Sequence, residues 1–214
     1  MPEAKIPVQL SRNFSLWEAE KSLTAMRLGI DNTLPKRLMA NATRVAQHIL
    51  QYPRDRFGYP ITPSSWYRCP ELNKTIGGAG TSQHMLAEAV DFEIPQVDNF
   101  ELFEWMISGG VPIFDQIILE NHTRGDPNSG WIHASIVQGV ENNRREVLVA
   151  NNGVYRPHDN RVPSTPQPTV ASPSGRTVRA PKPKPAAKSK TKAKPATKKP
   201  AAKRPARHKT GGKK

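Results

Sequence analysis

No acidic residue follows Asp159, yet half of the chain's 32 lysines and arginines crowd into residues 176–214. From Pro157 onward come eleven of the 21 prolines, with Ser and Thr early and Lys, Ala and Pro late. A stretch such as "APKPKPAAKSKTKAKPATKKPAAKRPARHKTGGKK" has too little apolar surface to offset the entropy lost on ordering. The fold must therefore be built from residues 1–156. A Pro/Ser/Thr-rich linker at 157–180 and a disordered Lys/Ala/Pro-rich basic arm at 181–214 are expected to follow. Residues 1–175 hold 16 basic and 18 acidic side chains, so the whole net charge of +14 belongs to the tail. The high isoelectric point thus implies nothing about the charge of a folded site.

Cys69 is the only cysteine, which excludes an intramolecular disulfide and a Cys-rich zinc module. We expect a small buried residue there rather than a nucleophile. The opening "MPEAKIPVQLSRNF" lacks the apolar run of a signal peptide. No segment approaches the roughly 18 apolar residues that span a bilayer. The expectation is a soluble protein made in a cytoplasm and not exported by a signal of its own.

Ser15, with Glu18 three residues on, has the form of a capping box and predicts a helix running into "KSLTAMRLG", to stop near Gly29. A second helix is expected after "DNTLP", with Leu38, Ala42, Val45, Ala46, Ile49 and Leu50 on one stripe and Pro53 closing it. "YPITPSSWYRCPELNKTIGG" reads as a short strand with prolines, then a brief helix from Pro70 ended by Gly77-Gly78. Val90, Phe92 and Ile94 alternate with Ala89, Asp91 and Glu93, the period of a half-buried strand that leaves Asp91 on the polar face. Asp98 to Glu101 repeats the capping pattern before another helix. "FDQIILE" (114–120) and "WIHASIV" (131–137) read as strands around a turn-rich loop, and "NRREVLVA" closes the folded part near Ala150. Helices first and short, mostly antiparallel strands later predict an α+β domain with a single sheet.

Histidines single out a site. His48 lies beside a helical stripe, His122 in a polar loop and His158 in the linker, the last two read as solvated. His133 is inside an apolar strand, where a buried imidazole needs a partner. His84 and Asp91 supply one if the three share a metal. Two imidazoles and a carboxylate suit zinc, and three protein ligands leave a fourth position open, the form of a catalytic site. Glu120 ends the strand before His133. If those strands pair, opposed Cβ atoms about 5 Å apart put its carboxylate near the ligands as a general base. An exposed glutamate at a strand end is the alternative.

"SQH....AVDF" with "WIHAS", preceded by "NFSLWE", "RLGIDNTLP" and "PITPSSWYRCPELNKTIGG" and followed by "NRREVLVA", resembles the zinc D-Ala-D-Ala carboxypeptidase and L-alanyl-D-glutamate endopeptidase family, especially its phage endolysin branch. The resemblance spans roughly residues 10–150. It implies the single-sheet zinc peptidase fold shared with hedgehog domains and one Zn2+ per chain. By position, His84, Asp91 and His133 match the zinc ligands, and Glu120 the acidic residue that acts as base. Arg68 matches an arginine lining the site, suited to hold a peptide carboxylate or polarise the scissile carbonyl; a surface ion-pairing arginine is its other reading. Ser82 matches the serine that begins the motif and holds the His84 loop.

Two positions depart from the family pattern. Ala87 stands where glycine is usual, so no strongly positive φ is expected there. Gly130 stands where many members carry the base, which leaves Glu120, thirteen residues before His133, or else Asp126. The resemblance implies a peptidase that hydrolyses peptide stems of peptidoglycan, a monomer acting from a host cytoplasm before lysis or from a virion. The Lys-rich tail suits a polyanion, either an envelope polymer or nucleic acid. A different class of function also fits that tail: a nucleic-acid-binding virion or packaging protein with a zinc domain of secondary role.

Overall fold

The structure, a computed structural model, describes residues 8–127 and 129–158. The basic arm, and the linker beyond His158, lie outside the described residues. Glu18 accepts from both the N–H (2.7 Å) and the hydroxyl (2.8 Å) of Ser15 and so opens α1 (Leu16–Glu20). This helix does not continue to Gly29. The Ala19 carbonyl accepts from the Tyr67 N–H and the Glu20 carbonyl from the Asn32 side chain, so neither serves a further turn. Ser22 caps a separate α2 (Leu23–Leu28), which ends at Gly29 with φ +68°.

After "DNTLP" the chain winds without a break through a 3-10 turn (Lys36–Leu38), α3 (Met39–Val45), a π turn (Ala46–Leu50) and α4 (Gln51–Phe57). The stripe from Leu38 to Leu50 is buried as its period predicts. Pro53 does not end the helix; Gly58 does, with φ +74°. The Gln51 N–H reaches back five residues to Ala46, which loosens the turn that the ring of Pro53 would otherwise crowd. α5 (Pro70–Thr75) starts as expected, with Pro70 in its first position and the buried Cys69 as its cap. The segment before it is not a strand. It makes a single bridge, Ser65 to Asp91, because Pro60 and Pro63 withhold N–H donors.

The sheet comprises β1 (Ala89–Phe92), β2 (Gln116–Glu120), β3 (Trp131–Ser135), β4 (Glu146–Asn151) and β5 (Val154–Pro157), in the order β1-β3-β2-β4-β5. α6 (Asn99–Trp105), capped by Asp98, separates β1 from β2. Three of the pairings are antiparallel and β2–β4 is parallel, so the α+β reading with one mostly antiparallel sheet holds. β5 is an addition to the expected strands. Asn152 and Gly153, at φ +49° and +75°, make the tight turn that joins it to β4. The fold consequently runs past Ala150 to His158. That histidine is not a solvated linker residue: its N–H bonds the Val147 carbonyl (3.0 Å), and its ring stands edge-on to Phe103 (5.0 Å).

Val90, Phe92, Ile117, Leu119, Ile132 and Ala134 share one face of the sheet and join Ile49, Leu102 and Phe103 in one buried core. The opposite face carries Asp91, His133, Ile118, Glu120, Leu148 and Ala150. A clasp around the buried Asp115 holds the parallel pair in register. Asp115, just before β2, accepts from the Arg144 backbone N–H (2.9 Å), from its guanidinium (2.6 Å) and from Gln83 (3.0 Å). Burial alone would raise the Asp115 carboxyl, but the hydrogen bonds from Arg144 and Gln83 outweigh it and hold it below the ordinary carboxylate value. A carboxyl depressed in the folded state adds stability that is present above its unfolded pKa of about 4 and lost as pH falls through the folded value. Asp115→Asn should therefore be less stable than wild type to urea at pH 6–7, with the gap closing as the pH falls below about 4. A gap that stays constant with pH would mean the clasp acts by shape and not by charge.

Candidate metal centre

The strand register assembles most of the site. Asp91 on β1 lies opposite His133 on β3, and Ile118 on β2 lies opposite the same histidine. His84 comes from outside the sheet, on a 3-10 turn (Gln83–Leu86) that Ser82 begins, its carbonyl accepting from the Met85 N–H. The His133 Nδ1 is 2.8 Å from Asp91 Oδ1, and the His84 Nε2 is 3.2 Å from the same oxygen. The two ring nitrogens face each other at 3.3 Å. Asp91 is 7% exposed, so the polar face of β1 looks into a site and not out to solvent. Its second oxygen accepts from the Arg68 guanidinium at 2.5 Å, and the Arg68 Nε is held by Ser65 Oγ at 2.7 Å.

These contacts suit a cation held between the three side chains. The His84 Nδ1 lies 2.7 Å from the Trp66 carbonyl, which can only accept, so that nitrogen carries the proton. Its Nε2 lone pair then points at a carboxylate oxygen and a second imidazole. Protonating it would remove that conflict, but burial lowers the His84 pKa and favours the neutral ring despite the pull of Asp91. Burial would push Asp91 up, but its close contacts with His84 and His133 outweigh that and keep it ionised. The donor set is thus one carboxylate oxygen and two imidazole nitrogens, all within 4.8 Å of one another. A neutral histidine with its far N–H on a backbone carbonyl is the usual arrangement of a metal ligand.

A cavity of about 700 Å³ opens over this group, lined among others by Arg68, His84, Glu120, Trp131, His133 and Tyr155. β2 and β3 pair as a long-looped hairpin with Glu120 opposite Trp131, two residues from His133. The half-buried Glu120 carboxylate has no hydrogen-bond or ion-pair partner among the described residues. Burial raises its pKa and the charge of Asp91 adds to that, with His133 and Arg68 pulling the other way. Asp126 lies in the 121–130 loop, where its carbonyl accepts from Ser129, and it is not among the residues lining the cavity. Gly130 has φ +73°, and a Cβ there would stand 2.2 Å from the Glu120 carbonyl oxygen. This backbone leaves no room for an acid at position 130.

Ala87 departs from expectation. It sits at φ +55°, where a Cβ costs roughly 1–2 kcal/mol. Its methyl is fully buried in the core, which offsets that strain.

The model of the family described as Peptidase M15 matches residues 12–119, half of the chain. The chain belongs to the M15 peptidase family. Family membership makes it a metallopeptidase domain of a zinc-dependent family that acts on peptidoglycan-type substrates, and the three-residue cluster is where a metal fits. The M15 match includes Arg68, His84 and Asp91 and stops one residue before Glu120, so Glu120 and His133 join the site through strand register. None of the curated proteins matches the chain. No helix of the described residues is long and apolar enough to cross a membrane.

Two positioning features escaped the sequence reading of this M15 domain. Asn32 is buried and bonds the Tyr67 carbonyl and the Cys69 N–H, which fixes the strip carrying Trp66 and Arg68. Its sequence context, "IDNTLP", reads only as a turn. Tyr155 enters the cavity from β5; "NNG" ahead of it, a hairpin signal, could have revealed it.

Proposed function

We propose that this M15 domain is a zinc peptidase of endolysin type that hydrolyses amide bonds in the peptide stems of peptidoglycan. The observation that carries the reading is the unpartnered, half-buried Glu120 carboxylate beside a metal-ligand triad in one cavity. His84, Asp91 and His133 would hold one zinc ion. Zinc supplies a Lewis acid for the scissile carbonyl and brings the pKa of a water toward about 7. Glu120 accepts the proton of the attacking water and delivers it to the leaving amine nitrogen as the C–N bond breaks. Arg68 anchors the far oxygen of Asp91 so that the near one faces the imidazoles, and its position in the cavity wall also suits the substrate carbonyl. The basic tail serves as a separable arm that binds anionic polymers of the envelope, and the protein acts from a host cytoplasm before lysis or from a virion.

The test is mass spectrometry of products from purified peptidoglycan, with full-length protein and a version ending at residue 158, each with and without chelator. Stem-peptide cleavage that chelator abolishes and zinc restores is expected. On soluble muropeptides the two proteins should match; on whole envelopes the shorter one should lose an advantage that salt also removes, since counterion release drives such binding. No new termini from any wall preparation would overturn the peptidase reading. A short protein that fails on soluble muropeptides would overturn the separate role of the tail.

A further inference from the structure

Across the sheet, the cavity extends well beyond the triad. In the row next to His133 the strands present Trp131, Glu120, Ala150 and Tyr155 in turn, because Glu120 opposes Trp131 and Ala150, and Ala150 opposes Tyr155. Ile118, Leu148 and Ala150 form a small buried apolar group of their own on this face, and the first two also line the cavity. They make a low apolar floor between the triad and Tyr155. From β3 to β5 there are three strand spacings, about 14 Å, the length of roughly four extended residues.

The polar groups along this floor are unequally committed. Arg68 is bonded to Asp91 and Ser65, Arg144 to Asp115, and Gln116 to Glu146. The Tyr155 hydroxyl has no hydrogen-bond partner among the described residues, and the side chain, 54% exposed, lines the same cavity. Its strand is also held in place relative to Glu120. The Asn121 N–H bonds the Ala150 carbonyl at 2.7 Å, and the Asn152 N–H bonds Asn121 Oδ1 at 2.9 Å. The β4–β5 turn is thereby clipped to the residue that follows Glu120.

We infer that Tyr155 is a substrate-binding residue that holds the peptide stem two to three residues from the bond being cut, its ring against the apolar floor and its hydroxyl donating to a stem carbonyl or carboxylate. The inference rests on the peptidase reading and sharpens it: the preferred substrate is a stem of several residues lying across β2, β4 and β5, not a dipeptide. Truncating the substrate should therefore cost as much as truncating the side chain.

The experiment compares wild type, Tyr155→Phe, Tyr155→Ala and the control Tyr59→Phe, all zinc-loaded, on a tetrapeptide stem and on the dipeptide that contains only the scissile bond. Binding of the tetrapeptide to Glu120→Gln and to Glu120→Gln/Tyr155→Phe is measured by calorimetry alongside. Wild type should prefer the tetrapeptide in kcat/KM. Tyr155→Phe should reduce that preference about tenfold, mainly through KM, and the double variant should bind the tetrapeptide about tenfold more weakly than Glu120→Gln. Tyr155→Ala should reduce the preference further, and Tyr59→Phe should keep it. An active wild type whose preference and binding do not respond to position 155 overturns the role of Tyr155 alone. A wild type inactive on both peptides, and on whole peptidoglycan, overturns the peptidase reading and this inference with it.

Discussion

Glu120→Gln is expected to retain the fold and any bound metal while losing about 10²–10⁴-fold in kcat, the usual cost of removing a general base. The substitution keeps the shape of the side chain and removes its ability to take a proton. Three features make this residue the one to test. Its carboxylate is half-buried, has no partner among the described residues, and lines the cavity that contains the triad. Asp126, the competing acid, sits in a loop whose polar groups are engaged with Thr123 and Ser129. Asp126→Asn should therefore keep most activity. A nearly normal Glu120→Gln beside an inactive Asp126→Asn would place the base in the loop and refute the assignment from strand register. Metal analysis and melting curves on the same samples separate lost chemistry from lost structure.

His84→Ala should lower the zinc content of purified protein from about one per chain to near zero and abolish hydrolysis. The triad has only three donors, so the loss of one removes a third of the ligand set, and a three-ligand zinc site has none to spare. The side chain is also almost fully buried, and its removal leaves the Trp66 carbonyl without its 2.7 Å donor. A loss of stability of about 2–3 kcal/mol should accompany the loss of metal. Chelator should lower the melting temperature of the wild type and leave that of His84→Ala unchanged, because a ligand that binds only the folded state stabilises it by mass action. Full zinc and full activity in His84→Ala would remove this histidine from the metal centre.

Both predictions concern residues visible in the sequence, for different reasons. His133 stands out because an imidazole within an apolar strand is costly without a partner, and His84 and Asp91 stand out as the side chains able to share a metal with it. Glu120 stands out only through its strand: with "FDQIILE" and "WIHASIV" paired, a strand end faces the ligands. Local patterns also located the helix caps at Ser15 and Asp98, the helix start at Pro70 and the buried stripe from Leu38 to Leu50. Such features depend on residues three or four apart, and their energetics are settled within one or two turns.

Where the sequence reading failed, partners distant in the chain took over. α1 stops at Glu20 because Asn32 and Tyr67 claim its last carbonyls, a contact no neighbouring residue announces. Ala87 accepts a left-handed φ because the core buries its methyl, whereas the local preference for glycine reflects only the backbone. His158 and Tyr155 follow the segment that looked like the end of the fold, and only the hairpin against β4 brings one to α6 and the other to the cavity. The sequence by itself determined that a charge-balanced α+β domain precedes a basic tail, and which side chains are chemically able to bind a metal. Tertiary structure alone decided which way Asp91 faces, which acid lies in the cavity, and how far the cleft extends, because strand register and burial arise from pairing between segments far apart in the chain, as with His84 and His133, 49 residues apart, and Asp115 and Arg144, 29 apart.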